Sequence, residues 1–105
     1  LSADEEWIDW SEDAAGVVRR IRALAPDPGA RTRFGGKLLK VLSATVVAGR
    51  GAPGEVMEVS KDGFTVTGGS GAVAVGEVVP EGRRRITAAE FVRGYRPEPG
   101  QRLGA

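Results

Sequence analysis

The 105 residues contain no cysteine and no histidine. Disulfides, a thiol nucleophile, an imidazole base and soft-metal ligation are excluded together, and with them most routes to catalysis near neutral pH. Aromatic residues are few: Trp7, Trp10, Phe34, Phe64, Phe91 and Tyr95. Apolar runs extend only a few residues, against the roughly 20 a spanning helix needs, so no membrane partner is expected. The first thirteen residues lack any lysine or arginine, and an acidic start without an apolar stretch is not a signal peptide. The missing cysteine suits a cytoplasmic protein.

What is present describes one ordinary globular domain, with 41% hydrophobic and 28% charged residues, enough to close a single core. The net charge of +1 conceals an asymmetry. Asp4, Glu5, Glu6, Asp9, Glu12 and Asp13 give the first thirteen residues a charge of −6, while the remainder sets 15 basic residues against 8 acidic ones and carries +7. A small domain with that surplus attracts polyanions.

Residues 1–10 read as a linker or arm, and 11–105 as the domain. Ser11 is placed to cap a helix whose first turn holds Glu12 and Asp13. Ala14, Val17, Val18, Ile21, Leu24 and Ala25 recur at helical spacing, predicting an amphipathic helix of about four turns, which Pro26 and Pro28 end. Five strands follow: Ala30 to Phe34, Lys37 to Ala48, Glu55 to Ser60, Phe64 to Thr67 and Ala72 to Val79. Gly35-Gly36 is a two-residue hairpin turn. Thr87 and Glu90 form a capping box for a short helix bearing Phe91, with Gly94 as its stop and the tail from Arg96 onward either lying along the surface or partly loose. The expected fold is mainly β: a five-stranded OB-like barrel preceded by an amphipathic helix and followed by a short one.

No catalytic set emerges. Glu55 and Glu58 differ by three along a strand and project to opposite faces, and Asp62 belongs to a turn. The acidic leader lacks the spacing of a calcium loop, so no metal site is expected. Gly49 to Gly54 and Gly68 to Gly71 are hairpin loops, since neither leads into a helix with the lysine and hydroxyl of a phosphate loop. The informative residues are basic: Lys37, Lys40 and Arg50, with the run Arg83, Arg84 and Arg85 before the last helix. Guanidinium forks on loops grip phosphate oxygens. With so few aromatics outside the core, a multi-base stacking platform is disfavoured, and recognition of folded RNA through backbone and shape is favoured.

The order of short motifs is itself recognisable. It runs Ile8-Asp9-Trp10-Ser11, Ala14, Ile21-Arg22-Ala23-Leu24 and Pro26-Asp27-Pro28-Gly29-Ala30, then Gly36-Lys37, Leu39-Lys40-Val41 and Ala52-Pro53-Gly54-Glu55-Val56. It continues with Glu81-Gly82-Arg83-Arg84, Ile86-Thr87-Ala88-Ala89-Glu90-Phe91, Gly94, Gly100 and Leu103-Gly104. Over essentially its whole length the chain resembles the carboxy-terminal domain of the methionyl-tRNA formyltransferases. The resemblance implies a domain that helps hold initiator tRNA while a separate amino-terminal domain transfers a formyl group from 10-formyltetrahydrofolate to the methionyl amine. It implies no catalytic residue and no cofactor in this segment, an amino-terminal catalytic domain as intramolecular partner, and a monomer. Arginine at 50 and 83 to 85, where relatives often carry lysine, is a departure that alters individual contacts. The alternative is a structural domain of a folate-linked formyltransferase acting on a sugar nucleotide or small molecule, with Trp7, Ile8 and Trp10 exposed for an interdomain contact. An autonomous single-strand-binding barrel is disfavoured by the aromatic count.

Overall fold

The computed structural model describes residues 6–104. Helix α1 spans Ala14–Leu24 and buries Ala14, Val17, Val18, Ile21 and Leu24, the apolar stripe read from the sequence. It starts later than Ser11 predicts and makes about three turns. Asp13 is the cap, its carboxylate accepting from the Gly16 N–H at 2.9 Å. Ser11 is engaged backwards instead, donating to Asp9 Oδ1 through its N–H at 3.0 Å and its hydroxyl at 2.6 Å. A hydroxyl held in such a local turn does not cap the helix ahead of it.

Strands β1 (Ala30–Phe34) and β2 (Lys37–Val47) form the first hairpin. Gly35 and Gly36 take φ of +59° and +81°, the left-handed pair a two-residue turn requires. Strands β3 (Val56–Ser60) and β4 (Gly63–Thr67) form the second hairpin, and β5 spans Ala72–Pro80. All neighbours are antiparallel, in the order β1-β2-β5-β4-β3. One edge of β5 lies along β2. The other is shared by β4 near its start and by a short sixth strand, β6 (Ile86–Thr87), near its end. Two residues are too short to show an alternation, so β6 has no sequence signal. The register of β2 against β5 slips between Val41 and Ala44, and such irregularities bend a strand.

The strands do not close a ring among the described residues; β1 and β3 remain edges. The carboxy-terminal tail fills the gap between them. On the β3 side, Val56 N–H donates to Gln101 O at 2.8 Å, Gly100 N–H to Val56 O at 2.9 Å, and Leu103 N–H to Gly54 O at 2.7 Å. On the β1 side, Gly104 N–H donates to Arg33 O at 2.8 Å. Leu103 is buried. Of the two expectations for the tail, lying along the surface is the one that holds: it is a seam of the OB-like barrel, built from isolated bridges that prolines and glycines permit but a strand pattern does not announce.

The leader is also attached. Trp7 bridges Arg31 in parallel, and Ile8 N–H donates to Arg31 O at 2.8 Å. Ile8 and Trp10 belong to the core, and the Trp10 indole donates to buried Thr32 Oγ1 at 2.9 Å. The exposure expected for Ile8 and Trp10 in the interdomain alternative is therefore incorrect. An indole N–H leaves water only where it finds a partner, and β1 offers both the hydroxyl and a free edge. Gly69 receives the chain beyond: its N–H donates to Glu12 O at 2.7 Å, and a Cβ there would collide with the Ser11 carbonyl.

Helix α2 (Ala88–Tyr95) carries the predicted capping box. Gly94 does not stop it; the stop is Arg96, in the left-handed region at φ +50°. Tyr95 lies four residues beyond Phe91 and stacks on it at 4.6 Å, a spacing at which side chains meet on a helix and one that extends the helix past the glycine. Phe91 is the centre of the barrel end that α2 covers, touching Phe34, Phe64 and Tyr95.

Candidate nucleic-acid interface

Hairpin β1–β2, the turn after β5 and helix α2 meet at this same end. They enclose a pocket of about 160 Å³ lined by Phe34, Lys37, Leu38, Leu39, Pro80, Glu81, Arg83, Phe91 and Tyr95. Lys37 and Arg83, far apart in sequence, are thereby brought to one site. The turn is held by Glu81, whose N–H donates to Leu38 O at 2.9 Å and whose carboxylate accepts from Leu38 N–H at 2.9 Å. Arg83 N–H closes it on Pro80 O at 2.9 Å. These bonds fix the backbone and leave the Arg83 guanidinium exposed.

Arg84, ahead of α2, and Arg93, in its last turn, both act on the Glu90 carboxylate. That carboxyl is held below its ordinary value, chiefly by the hydrogen bond from Thr87 N–H at 3.0 Å, then by the Thr87 hydroxyl, with smaller help from Arg93 and Arg84. Because the folded state favours the charged form, the contribution of Glu90 is complete above the ordinary glutamate range and is lost as pH falls through the depressed value. Wild type and Glu90→Gln should therefore differ in thermal stability near pH 6 and converge as pH falls through that depressed value. Thermal melts across that range check the sign; a gap that widens on acidification contradicts it.

The other basic residues singled out in the sequence lie elsewhere. Arg85 pairs with Glu77 at 3.1 Å. Lys40 sits three residues along β2 from Lys37, opposite Arg31 on β1, with its alkyl chain against Gly29. Arg50 lies in the loop after β2, about 30 Å of strand length from Lys37, in a segment tied down by Ala52 N–H to Glu55 Oε1 at 2.9 Å and by the Thr67 hydroxyl on Ala52 O. Among the described residues, no ion pair holds Lys37, Lys40, Arg50, Arg83 or Arg84. The cations are thus uneven: the α2 end gathers Lys37, Arg83, Arg84 and Arg93, whereas Lys40 and Arg50 occupy other faces.

The leader shapes this distribution. Among the described residues, Glu6 pairs with Arg31 at 3.0 Å and Glu12 with Arg20 at 3.5 Å, which offsets positive charge on β1 and α1. Sequence reasoning missed Tyr95, the exposed ring beside the Lys37 and Arg83 pocket. Its spacing from Phe91 was the available signal. Among the described residues there is no cluster of acidic or metal-ligating side chains suited to an ion, and no helix is long and apolar enough to cross a membrane.

Residues 1–96 match the formyl transferase, C-terminal domain family. The chain is 44% identical over 104 residues to the methionyl-tRNA formyltransferase of Magnetococcus marinus, covering 99% of this chain and 33% of that protein. It is 45% identical over 103 residues to the methionyl-tRNA formyltransferase of Neisseria meningitidis serogroup C, covering 98% of this chain and 33% of that protein. It therefore spans about a third of the length of these relatives. The crystal structure of HypX from Aquifex aeolicus in complex with tetrahydrofolic acid shares the fold, with a TM-score of 0.73 at 24% identity over 90% of this chain and 18% of that one. On these matches the chain belongs to the formyl transferase C-terminal domain family.

Proposed function

We propose that this chain is the RNA-holding domain of a methionyl-tRNA formyltransferase. In this reading the parent enzyme moves a formyl group from 10-formyltetrahydrofolate to the amino group of methionyl initiator tRNA in the cytoplasm. An amino-terminal domain of the same polypeptide performs the transfer, and this domain supplies grip on the tRNA as part of a monomer. The observation that carries the reading is identity of 44% to a methionyl-tRNA formyltransferase along 99% of the chain. The exposed cations at the α2 end support it: Lys37, Arg83 and Arg84 are the primary phosphate contacts, with Lys40, Arg50 and Arg85 reached only by RNA extending over neighbouring faces.

Each phosphate neutralised releases counterion, so three to five contacts give log affinity against log salt a slope of about −2 to −4. Titration of initiator tRNA against the chain at several salt concentrations tests this. Binding that ignores salt overturns the phosphate grip and favours the domain as a purely structural partner of its catalytic neighbour.

A further inference from the structure

We propose that the pocket between β1–β2, the Pro80–Arg83 turn and α2 takes a single unstacked nucleotide of the bound RNA, its base against Tyr95 and its phosphate on Lys37 and Arg83. The inference rests on the RNA-holding reading above and adds to it the feature of RNA that is recognised: an unpaired position rather than a continuous duplex.

Three observations carry it. First, Tyr95 is 39% exposed although one face of its ring is stacked on Phe91 at 4.6 Å with the planes 8° apart. Its outer face is the natural continuation of that stack, on a support that Phe34 braces edge-on against Phe91 at 5.2 Å. Second, size selects the occupant. The pocket holds about 160 Å³, half or less of what a drug-sized ligand needs and enough for one ring system. Two cations at its rim favour a ring joined to an anion, and the one carboxylate there, Glu81, is engaged by Leu38 N–H at 2.9 Å.

Third, the surroundings are bare. A Cβ at Gly35, Gly36, Gly82 or Gly94 would meet nothing within 4 Å. Turn geometry explains the first three, whose φ values are positive. Gly94 is helical and exposed, about 100° around α2 from Tyr95, and lies outside the lining of the pocket. Gly35 and Gly36 turn β1 into β2 and Gly82 lies in the Pro80–Arg83 turn, so the two turns that border the pocket leave open space for a larger molecule. The sequence disfavours a platform for several bases; a single ring needs none.

The test compares two RNAs of equal length on the wild-type chain, a blunt duplex and a hairpin with an unpaired loop, each at low salt. The hairpin should bind tighter, and Tyr95→Ala should remove that preference, weakening hairpin binding about 5- to 150-fold while duplex binding and the salt slope stay put. Tyr95→Phe, which keeps the ring, should restore it. Thermal melts confirm that both variants fold. Equal binding of the two RNAs by the wild type overturns the nucleotide subsite alone, as does a Tyr95→Ala variant that keeps the preference. Absence of binding to either RNA overturns the RNA-holding reading, and the subsite with it.

Discussion

Replacing Lys37, Arg83 and Arg84 together by alanine should lower affinity for initiator tRNA by about two orders of magnitude at 0.1 M salt and flatten the salt slope by about 2 to 3. The two numbers are linked. Each phosphate held contributes roughly 0.7 to 0.9 to the slope, and its electrostatic benefit fades toward 1 M salt. One decade of salt separates 0.1 M from that limit, so releasing three phosphates costs about two decades of affinity. Among the described residues none of the three side chains is consumed by an ion pair, whereas Arg85 is tied to Glu77 at 3.1 Å. Alanine at 83 and 84 leaves the turn intact, since the turn rests on backbone groups and on Glu81. Arg50→Ala, at the far end of β2, is the matched comparison and should change the slope by less than about 1. If Arg50→Ala costs as much as the triple variant, the RNA does not centre on the α2 end.

The chemistry of that end was only half legible in the sequence. The run Arg83-Arg84-Arg85 is visible as charge, and the Thr87 to Glu90 box fixes where the helix after it begins. Which cations converge depends on the β1–β2 hairpin returning to the Pro80 turn, and that is a matter of register rather than composition. Lys37 and Lys40 look equivalent in sequence, yet a separation of three on a strand sends one toward the pocket and the other against Gly29. Likewise five strands and both helices follow from periodicity and turn chemistry, because each buries enough residues to show a pattern. The leader and the tail do not. Ile8, Trp10 and Leu103 enter the core singly, in segments whose prolines, glycines and acids suggest solvent. They are held by single hydrogen bonds, Ile8 and Trp10 to β1 and Leu103 to Gly54 just ahead of β3, and no local rule reveals an edge in need of covering.

The largest effect on stability should come from Phe91→Ala, a loss of about 3 to 5 kcal/mol. Phe91 is 1% exposed and is the common partner of three rings, Phe34 at 5.2 Å, Phe64 at 5.4 Å and Tyr95 at 4.6 Å. Truncation opens a cavity its neighbours cannot fill, because Phe34 and Phe64 are fixed on strands β1 and β4 and Tyr95 on the far turn of the same helix. Aromatic pairs add roughly 0.5 to 1.5 kcal/mol beyond burial, not additively here since all three share one ring. Against a total of about 5 to 15 kcal/mol for a domain, the variant is near the limit of folding, with a midpoint lowered by roughly 12 to 40 °C. Phe91→Leu, which keeps most of the volume, should recover the greater part. Urea titrations separate the outcomes: a lower midpoint at unchanged slope means that α2 unfolds with the barrel. A cost below about 1 kcal/mol would mean that α2 frays independently. In that case Tyr95 would have no rigid support, and the α2 end would order only when RNA is bound.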